Sequence, residues 1–255
     1  MLLALDIGNT NITLGVFRGE ELKATWRIAT DLARMPDEYG LMLNQLLPLR
    51  GVSPKDVDAV AMCSVVPPLT PTFVELSKDY LGVSPLVVGA GTKTGIRILY
   101  DNPRDVGTDR IADAAAALEL YGGPAIIVDF GTATVFDAVS KDGDYLGGAL
   151  APGMSVAADA LFHSTSQLRR VELTSPPSAI GKNTIHATQS GLVLGYAELV
   201  KGMVARFDKE LGGGSKVIAT GGLATLMERE ASIFDAVDPH LTLTGLRIIH
   251  GLNTG

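Results

Sequence analysis

Residues 4–17 read ALDIGNTNITLGVF, and residues 126–139 read IIVDFGTATVFDAV. Each stretch opens as an apolar run, reaches an aspartate that is followed two residues later by glycine, and continues as a second run of polar and apolar residues. This pattern predicts a buried strand, a tight turn and a second strand. The two aspartates, Asp6 and Asp129, lie 123 residues apart. The sequence therefore predicts an internal duplication.

The segments around these two stretches alternate between strand and helix patterns. In the first half we predict a three-stranded meander over the first 30 residues, a helix at 36–49, a strand at 58–63, a helix at 69–81 and a short strand at 85–88. In the second half we predict a further three-stranded meander from residue 125, helices from about residue 152, at 184–211 and at 223–230, a strand at 216–220 and an amphipathic helix at 241–251. Such alternation is typical of an α/β fold with mixed sheets flanked by helices. We expect two domains, at residues 1–113 and 114–255.

Composition limits the function classes. Hydrophobic residues make up 46% of the chain and charged residues 19%, which is typical of a globular protein. The net charge of −7 and the lack of basic runs argue against nucleic acid as a partner. A single cysteine, Cys63, excludes an internal disulfide and a cysteine-rich zinc cluster. No apolar run approaches the roughly 20 residues that span a membrane, so we expect a cytoplasmic protein without a membrane partner.

The turn after Asp6 has the composition of a phosphate-binding loop. Glycine lets the backbone approach a ligand closely, and Asn9, Thr10 and Asn11 offer hydrogen-bond donors. A carboxylate faces phosphate only with a cation between them, and Mg²⁺ is the natural choice. An ordinary hairpin with an Asx turn is the alternative. The second copy at Asp129 favours the ligand-binding reading, because two related loops can hold one nucleotide. The turn Thr220-Gly221-Gly222 before a predicted helix is a weaker third candidate.

Residues 106–113, VGTDRIAD, place an Asp-Arg pair at the start of an alanine-rich helix. As a structural feature, Asp109 would cap the helix. As a functional one, Asp109 would accept the proton of a substrate hydroxyl and Arg110 would hold an anionic or carbonyl group of the same substrate. Asp113 lies one turn further along; it either orients Arg110 or a water molecule, or is a solvated surface carboxylate.

Several motifs together resemble one family. They are DIGNTNITLGVF at residue 6, GTDRIADA at 107, DFGTATVFD at 129, GGALAPG at 147 and IGKNT at 180, and the likeness continues to LTLTGLRIIHG at the C-terminal end. The chain resembles the type III pantothenate kinases, within the superfamily of acetate and sugar kinases, heat-shock chaperone ATPases and actin. The resemblance implies two related ribonuclease H-like domains with ATP in the cleft between them.

The resemblance also assigns roles to single residues. Asp109 matches the proton acceptor, and Asp129 matches the carboxylate that binds a monovalent cation, K⁺ or NH₄⁺. The substrate-binding positions are Tyr100, Gly107, Thr108, Asp109, Arg110 and Thr184. The ATP-binding positions are Asp6, Ile7, Gly8, Asn9, Thr10, Asn11, Ile12, Thr13 and Thr132, with Asp6 also as the contact to Mg²⁺.

The implied reaction is ATP-dependent phosphorylation of pantothenate to 4'-phosphopantothenate, the first step of coenzyme A biosynthesis, by a homodimer. Two alternatives remain at this point. One is a non-catalytic regulatory accessory factor of the same fold, against which the retention of Asp6, Asp109 and Asp129 argues. The other is a sugar kinase or chaperone-type ATPase. We expect neither of these. Many such sugar kinases carry a cysteine-rich zinc motif that a single cysteine cannot supply, and the chaperones carry an additional peptide-binding domain for which 255 residues leave no room.

Overall fold

The structure is a computed structural model that describes residues 1–165 and 168–254. The strands are β1 (Leu2–Ile7), β2 (Asn11–Arg18), β3 (Glu21–Ala29), β4 (Ala59–Ser64), β5 (Leu86–Val87), β6 (Arg97–Ile98), β7 (Ala125–Phe130), β8 (Ala133–Val139), β9 (Asp144–Pro152), β10 (Lys216–Thr220) and β11 (Ala236–Val237). The helices are α1 (Pro36–Leu46), α2 (Leu69–Leu81), α3 (Thr108–Tyr121), α4 (Met154–His163), α5 (Thr184–Gln189), α6 (Gly195–Leu211), α7 (Ala224–Ala231) and α8 (Leu241–Thr254). A π-helical turn, Ser190–Leu194, joins α5 to α6. The long helix predicted at 184–211 is thus continuous in extent but not α-helical throughout.

The chain divides into two compact units. Unit 1 contains Met1–Ile96, Asp101–Ala116 and Leu241–Gly255, and unit 2 contains Arg97–Tyr100 and Ala117–His240. These limits differ from the sequence-based division at residue 113, because α8 packs on β1 and β4 in unit 1. As functional domains, 1–113 and 114–255 stay a prediction.

Unit 1 is built on a five-stranded mixed sheet in the order β3-β2-β1-β4-β5. Strands β1, β2 and β3 form an antiparallel meander, whereas β4 and β5 run parallel to β1. One face packs on α1 and α2 through buried residues that include Leu5, Leu14, Tyr39 and Phe73. Each such fully buried side chain stabilises the fold by about 1.5–3 kcal/mol relative to its exposed state. This face carries the larger of the two apolar cores of unit 1.

The opposite face of that sheet packs on α3 and α8 and is lined by small residues. Ala4 and Ala61 of the sheet contact a cluster with Ala112 and Ala115 of α3 and with residues of α8. At Gly245 of α8, a Cβ atom would lie only 2.0 Å from the carbonyl oxygen of Ala112. The alanine-rich sequence of α3 thus allows the two helices to lie in direct backbone contact.

Unit 2 repeats the same arrangement. Its six-stranded sheet has the order β11-β10-β7-β8-β9-β6, so β7, β8 and β9 form the meander and β10 and β11 run parallel to β7. Only β6, which pairs in parallel with β9, has no counterpart in unit 1. The shared topology confirms the predicted duplication and the α/β fold with mixed sheets flanked by helices. Within the described residues, no helix combines the length and the apolar character needed to cross a membrane.

Candidate active site

Asp6 lies next to last in β1, at the carboxyl end of the central strand of unit 1. The turn that follows is held by the amide of Gly8, which donates to the carbonyl oxygen of Asn11 at 3.1 Å. A Cβ atom at Gly8 would lie 2.9 Å from that same oxygen, so only glycine fits the turn without a shift. The Thr30 hydroxyl donates to the carbonyl of Gly8 at 2.6 Å and ties the turn to the end of β3. The side chains of Asn9 and Thr10 are exposed on this fixed turn.

The Asp6 carboxylate lies in a poorly solvated and negatively charged environment. Burial and the nearby charge of Asp109 raise its pKa from 3.8 to about 7, against the opposing effects of Cys63 and Arg27. The Cys63 thiol donates to Oδ1 of Asp6 at 3.5 Å. Burial, together with Asp6, Asp109 and Asp113, in turn raises the pKa of the Cys63 thiol. Four acidic groups therefore share one region of unit 1, which a cation would stabilise.

The start of α3 is joined to the end of β4. The Thr108 hydroxyl accepts from the amide of Ser64 at 3.1 Å and donates to its carbonyl at 3.3 Å. Because α3 begins at Thr108, Asp109 lies inside the first turn and is not the N-cap residue. Its Oδ1 still accepts from the backbone amide of Arg110 at 2.8 Å, so it satisfies one free amide of the helix start. Gly107 allows this conformation, since a Cβ atom there would lie 2.4 Å from Oδ1 of Asp109.

Asp109 has the electrostatic properties of a base. Burial raises the pKa of its carboxyl above 3.8, and the backbone amide and charge of Arg110 partly oppose this shift. A raised pKa brings a carboxylate closer to the proton affinity that general-base catalysis near neutral pH requires. The structure thus brings Asp6 and Asp109 into one region of unit 1.

Asp113 is 3% exposed, so the alternative of a solvated surface carboxylate is wrong. It lies on the inner face of α3, which packs on the sheet, and its charge reaches Cys63. The spacing of four residues from Asp109 is compatible with either a buried or a solvated position, and the packing of α3 decides between them.

In unit 2, Asp129 occupies the position in β7 that Asp6 occupies in β1. The amide of Gly131 donates to the carbonyl of Ala133 at 3.0 Å, and Thr132 is exposed at the tip of the turn. The neighbouring strand β10 ends beside Asp129 and continues into Gly221, which has a φ of 89°. A Cβ atom at Gly221 would lie 2.2 Å from Oδ1 of Asp129. Glycine at position 221 therefore allows the backbone after β10 to lie directly against this carboxylate.

Two predicted substrate contacts lie elsewhere in unit 2. Tyr100 follows β6 and stacks obliquely on Tyr145, with ring centroids 6.4 Å apart. Thr184 begins α5 and lines a pocket of about 340 Å³. Arg169, which is not among the predicted site residues, lines the same pocket beside Thr184 and gives it a positive charge. No motif around Arg169 distinguishes it from a surface arginine.

Among the described residues, no group of three or more His, Cys, Asp or Glu side chains is arranged to hold a metal ion. A metal at Asp6 or Asp129 would therefore take its remaining ligands from backbone, water or the nucleotide.

Known proteins of one family are similar to this chain over most of its length. The profile of the type III pantothenate kinase family matches residues 2–206. A protein of Moorella thermoacetica called type III pantothenate kinase is 53% identical over 254 residues, which cover 100% of both chains. Among solved structures, a conserved Campylobacter jejuni protein described as a Baf family transcriptional activator has a TM-score of 0.62 at 20% identity, with 98% of each chain covered. The inorganic polyphosphate/ATP-glucomannokinase of Arthrobacter sp. has a TM-score of 0.51 at 15% identity, with 99% of this chain and 98% of that chain covered. The last two show a shared fold only.

Proposed function

The chain belongs to the type III pantothenate kinase family, and we propose that Asp109 is the proton acceptor with which it phosphorylates pantothenate. The enzyme transfers the γ-phosphoryl group of ATP to the primary hydroxyl of pantothenate and forms 4'-phosphopantothenate, in the first step of coenzyme A biosynthesis. The observation that supports the role of Asp109 is its fixed position in the first turn of α3, in the same region as Asp6.

In the proposed reaction, the substrate hydroxyl gives its proton to Asp109 as the oxygen forms a bond to the γ-phosphorus. The bond from that phosphorus to the β–γ bridging oxygen breaks, and ADP leaves. Arg110 holds the carboxylate of pantothenate and Thr108 fixes the loop, so the hydroxyl stays in line with the leaving group. Gly107, Tyr100 and Thr184 are the other proposed substrate-binding residues, and Arg169 gives the pocket beside Thr184 a positive charge.

We assign ATP to the turn of unit 1 from Asp6 to Thr13 and to Thr132 in unit 2. The exposed side chains of Asn9 and Thr10 and the tight turn at Gly8 suit phosphate oxygens. The raised pKa of Asp6 fits a carboxylate that faces a cation in the working enzyme. Mg²⁺ bound with ATP would neutralise phosphate charge there, and Asp6 is the residue of this chain that would contact it.

A monovalent cation, K⁺ or NH₄⁺, is assigned to Asp129. The support is the close approach of the Gly221 backbone to Oδ1 of Asp129, which a side chain at position 221 would prevent. A large and weakly charged cation suits a site with one carboxylate and backbone oxygens. Asp129 would supply the charge, and the turns at Gly131 and Gly221 would supply carbonyl groups.

We further propose a homodimer, formed through the helices of unit 2, and a cytoplasmic location, where ATP is available as co-substrate. Apolar side chains of α4 and α6 are exposed, namely Val156 (44%), Leu161 (41%) and Leu199 (37%). Exposed apolar groups on neighbouring elements are typical of an interface between subunits. Sedimentation of the wild-type protein and of Leu161→Glu tests this, with a shift of the variant to the monomer expected.

The regulator alternative has no observation in its favour. The Campylobacter jejuni protein is 20% identical, which shows the fold alone. The curated relative at 53% identity is a kinase over its full length.

The test is phosphoryl transfer from ATP to pantothenate with Mg²⁺ and either K⁺ or Na⁺. Asp109→Asn is expected to lower kcat by about 10²- to 10⁴-fold, the usual effect of losing a general base. The control is Asp101→Asn, which removes an exposed carboxylate from the loop before α3. Equal activity of wild type and Asp109→Asn would remove Asp109 from the mechanism, while activity that is the same in K⁺ and Na⁺ would remove the cation site.

A further inference from the structure

One row of side chains crosses the sheet of unit 1 at the level of Asp6. Asp6 pairs with Thr13 on β2 and with Cys63 on β4, and Thr13 pairs with Arg27 on β3. Residues that are directly opposite each other in a sheet project from the same face. Arg27, Thr13, Asp6 and Cys63 therefore share the face on which α3 lies.

The helices cover this face only in part. In the next row, towards the start of β1, Gly15 lies opposite Ala4, and a Cβ atom at Gly15 would be 2.7 Å from Leu243 of α8. That row is thus covered by α8. The row of Arg27 lies two residues closer to the carboxyl end of β1, where the Asp6 turn is, and Arg27 itself is exposed.

Arg27 acts on the site electrostatically. Its positive charge opposes the rise in the pKa of Asp6, and Arg27 lies two strands from Asp6 in the same row of the sheet. Over residues 1–165 and 168–254, Arg27 forms no salt bridge that would occupy its donors. An exposed guanidinium with five N–H groups is suited to bind phosphate oxygens.

The duplicated sheet shows that the fold does not require a cation at this position. In unit 2, Asp129 pairs with Val135 on β8, and Val135 pairs with Leu150 on β9. Leu150 is thus the counterpart of Arg27, and it is 63% exposed. The same meander therefore forms with an apolar residue in place of the arginine, which points to a function of Arg27 in unit 1.

The charges around Asp6 favour a phosphate group as the ligand of Arg27. Three carboxylates, of Asp6, Asp109 and Asp113, act in this region, and a nucleotide brings several more negative charges. Arg110 is assigned to pantothenate. We propose that Arg27 binds the phosphate groups of the nucleotide, as a further residue of the active site; this rests on the ATP site proposed above.

The test is calorimetric titration of the full-length protein with ATP and with AMP, each with Mg²⁺ and without pantothenate. For Arg27→Gln we expect ATP to bind about 10- to 100-fold more weakly, as on loss of a charged hydrogen bond, and AMP to be affected less than about threefold. Arg27→Lys, which keeps the charge but loses the planar fork, should lie between wild type and Arg27→Gln.

Arg18→Gln is the matched control, because it removes the same charge from the turn end of the β2–β3 hairpin, where Arg18 pairs with Glu21. It should leave both affinities within about twofold of wild type. Thermal unfolding of every variant checks that the fold is intact.

Two results would overturn the proposal. One is an unchanged ATP affinity in folded Arg27→Gln. The other is an equal loss for ATP and AMP, which would indicate a distorted turn. Pantothenate phosphorylation by the same wild-type preparation tests the proposed function separately from the role of Arg27. If wild type lacks this activity but binds ATP through Arg27, the substrate assignment fails and the role of Arg27 stands.

Discussion

The buried carboxylate of Asp6 should make the protein less stable at alkaline pH than at acidic pH, and Asp6→Asn should remove this effect. In the folded protein the pKa of Asp6 is raised from 3.8 to about 7. In the unfolded chain the same group ionises near its ordinary value. Between these two values the folded state holds a proton that the unfolded state has released. The free energy of unfolding therefore falls as the pH rises through this window.

The size of the effect follows from the two pKa values. One unit of pKa difference corresponds to about 1.4 kcal/mol. The ionised carboxylate then costs about 4 kcal/mol of stability at pH 8, and about 2 kcal/mol at pH 5, where only part of the window has been crossed. Asparagine has nearly the same shape and does not titrate. The stability advantage of Asp6→Asn over wild type should thus be about 2–3 kcal/mol larger at pH 8 than at pH 5.

The assay is urea unfolding of both proteins at pH 5 and pH 8, in the presence of a chelator and without nucleotide. Comparing the difference between proteins at two pH values cancels every pH-independent effect of the substitution. Asp142→Asn, which alters an exposed carboxylate, is the control and should show little change between the two pH values. If the difference in the free energy of unfolding between Asp6→Asn and wild type were the same at both pH values, or larger at pH 5, the raised pKa of Asp6 would be refuted.

Three further predictions concern Asp109 and two glycines. The value of kcat/KM for pantothenate should rise with pH along a limb whose apparent pKa exceeds 3.8, because burial raises the pKa of the Asp109 carboxyl; initial rates across acidic pH measure this. Gly221→Ala should lose about 1–3 kcal/mol in urea unfolding and weaken the dependence of the rate on K⁺, because its φ is 89° and its Cβ would meet Asp129 at 2.2 Å. Gly245→Ala should lower the melting temperature by several degrees, since its Cβ would lie 2.0 Å from the Ala112 carbonyl, whereas Gly251→Ala, with open space at the Cβ position, should be neutral or stabilising.

The sequence predicted the elements whose pattern is local. The alternation in residues 4–17 and 126–139 predicted both meanders, and the alanine-rich run predicted that α3 can pack closely. It missed β6 and β11, which have two residues each and carry no periodic signal, whereas β5 is as short but lies in the apolar run Leu86-Val87-Val88. It also predicted α8 as an amphipathic helix without indicating the sheet on which it packs. Such placement depends on contacts between residues more than 150 positions apart.

The residues of the candidate site also differ in whether neighbouring sequence or contacts between distant segments determine their position. Asp109 could be proposed as the proton acceptor from the sequence, because its neighbours in the chain form the motif on which that proposal rests. Arg27 could not, since its relation to Asp6 arises from the pairing of β3 with β2 and of β2 with β1. The sequence WRIAT around Arg27 shows only the alternation of an edge strand. Burial of Asp113 likewise results from the packing of α3 and not from its spacing to Asp109.

The two copies of the aspartate turn differ in length, and this difference fits the two kinds of ligand proposed for them. In unit 1, Ile7 pairs with Ile12 and encloses four residues, whereas in unit 2, Phe130 pairs with Thr134 and encloses three. The longer turn exposes both Asn9 and Thr10, with one more backbone amide than the shorter turn can offer. Additional donors on a turn favour an anion with several oxygens, such as a polyphosphate. The shorter turn instead lies against Gly221 after β10, where the Asp129 carboxylate and backbone carbonyls would suit the proposed cation. Inserting one polar residue after Thr132 should therefore weaken activation by K⁺ more strongly than the affinity for ATP, because most of the positions assigned to ATP lie in the turn of unit 1.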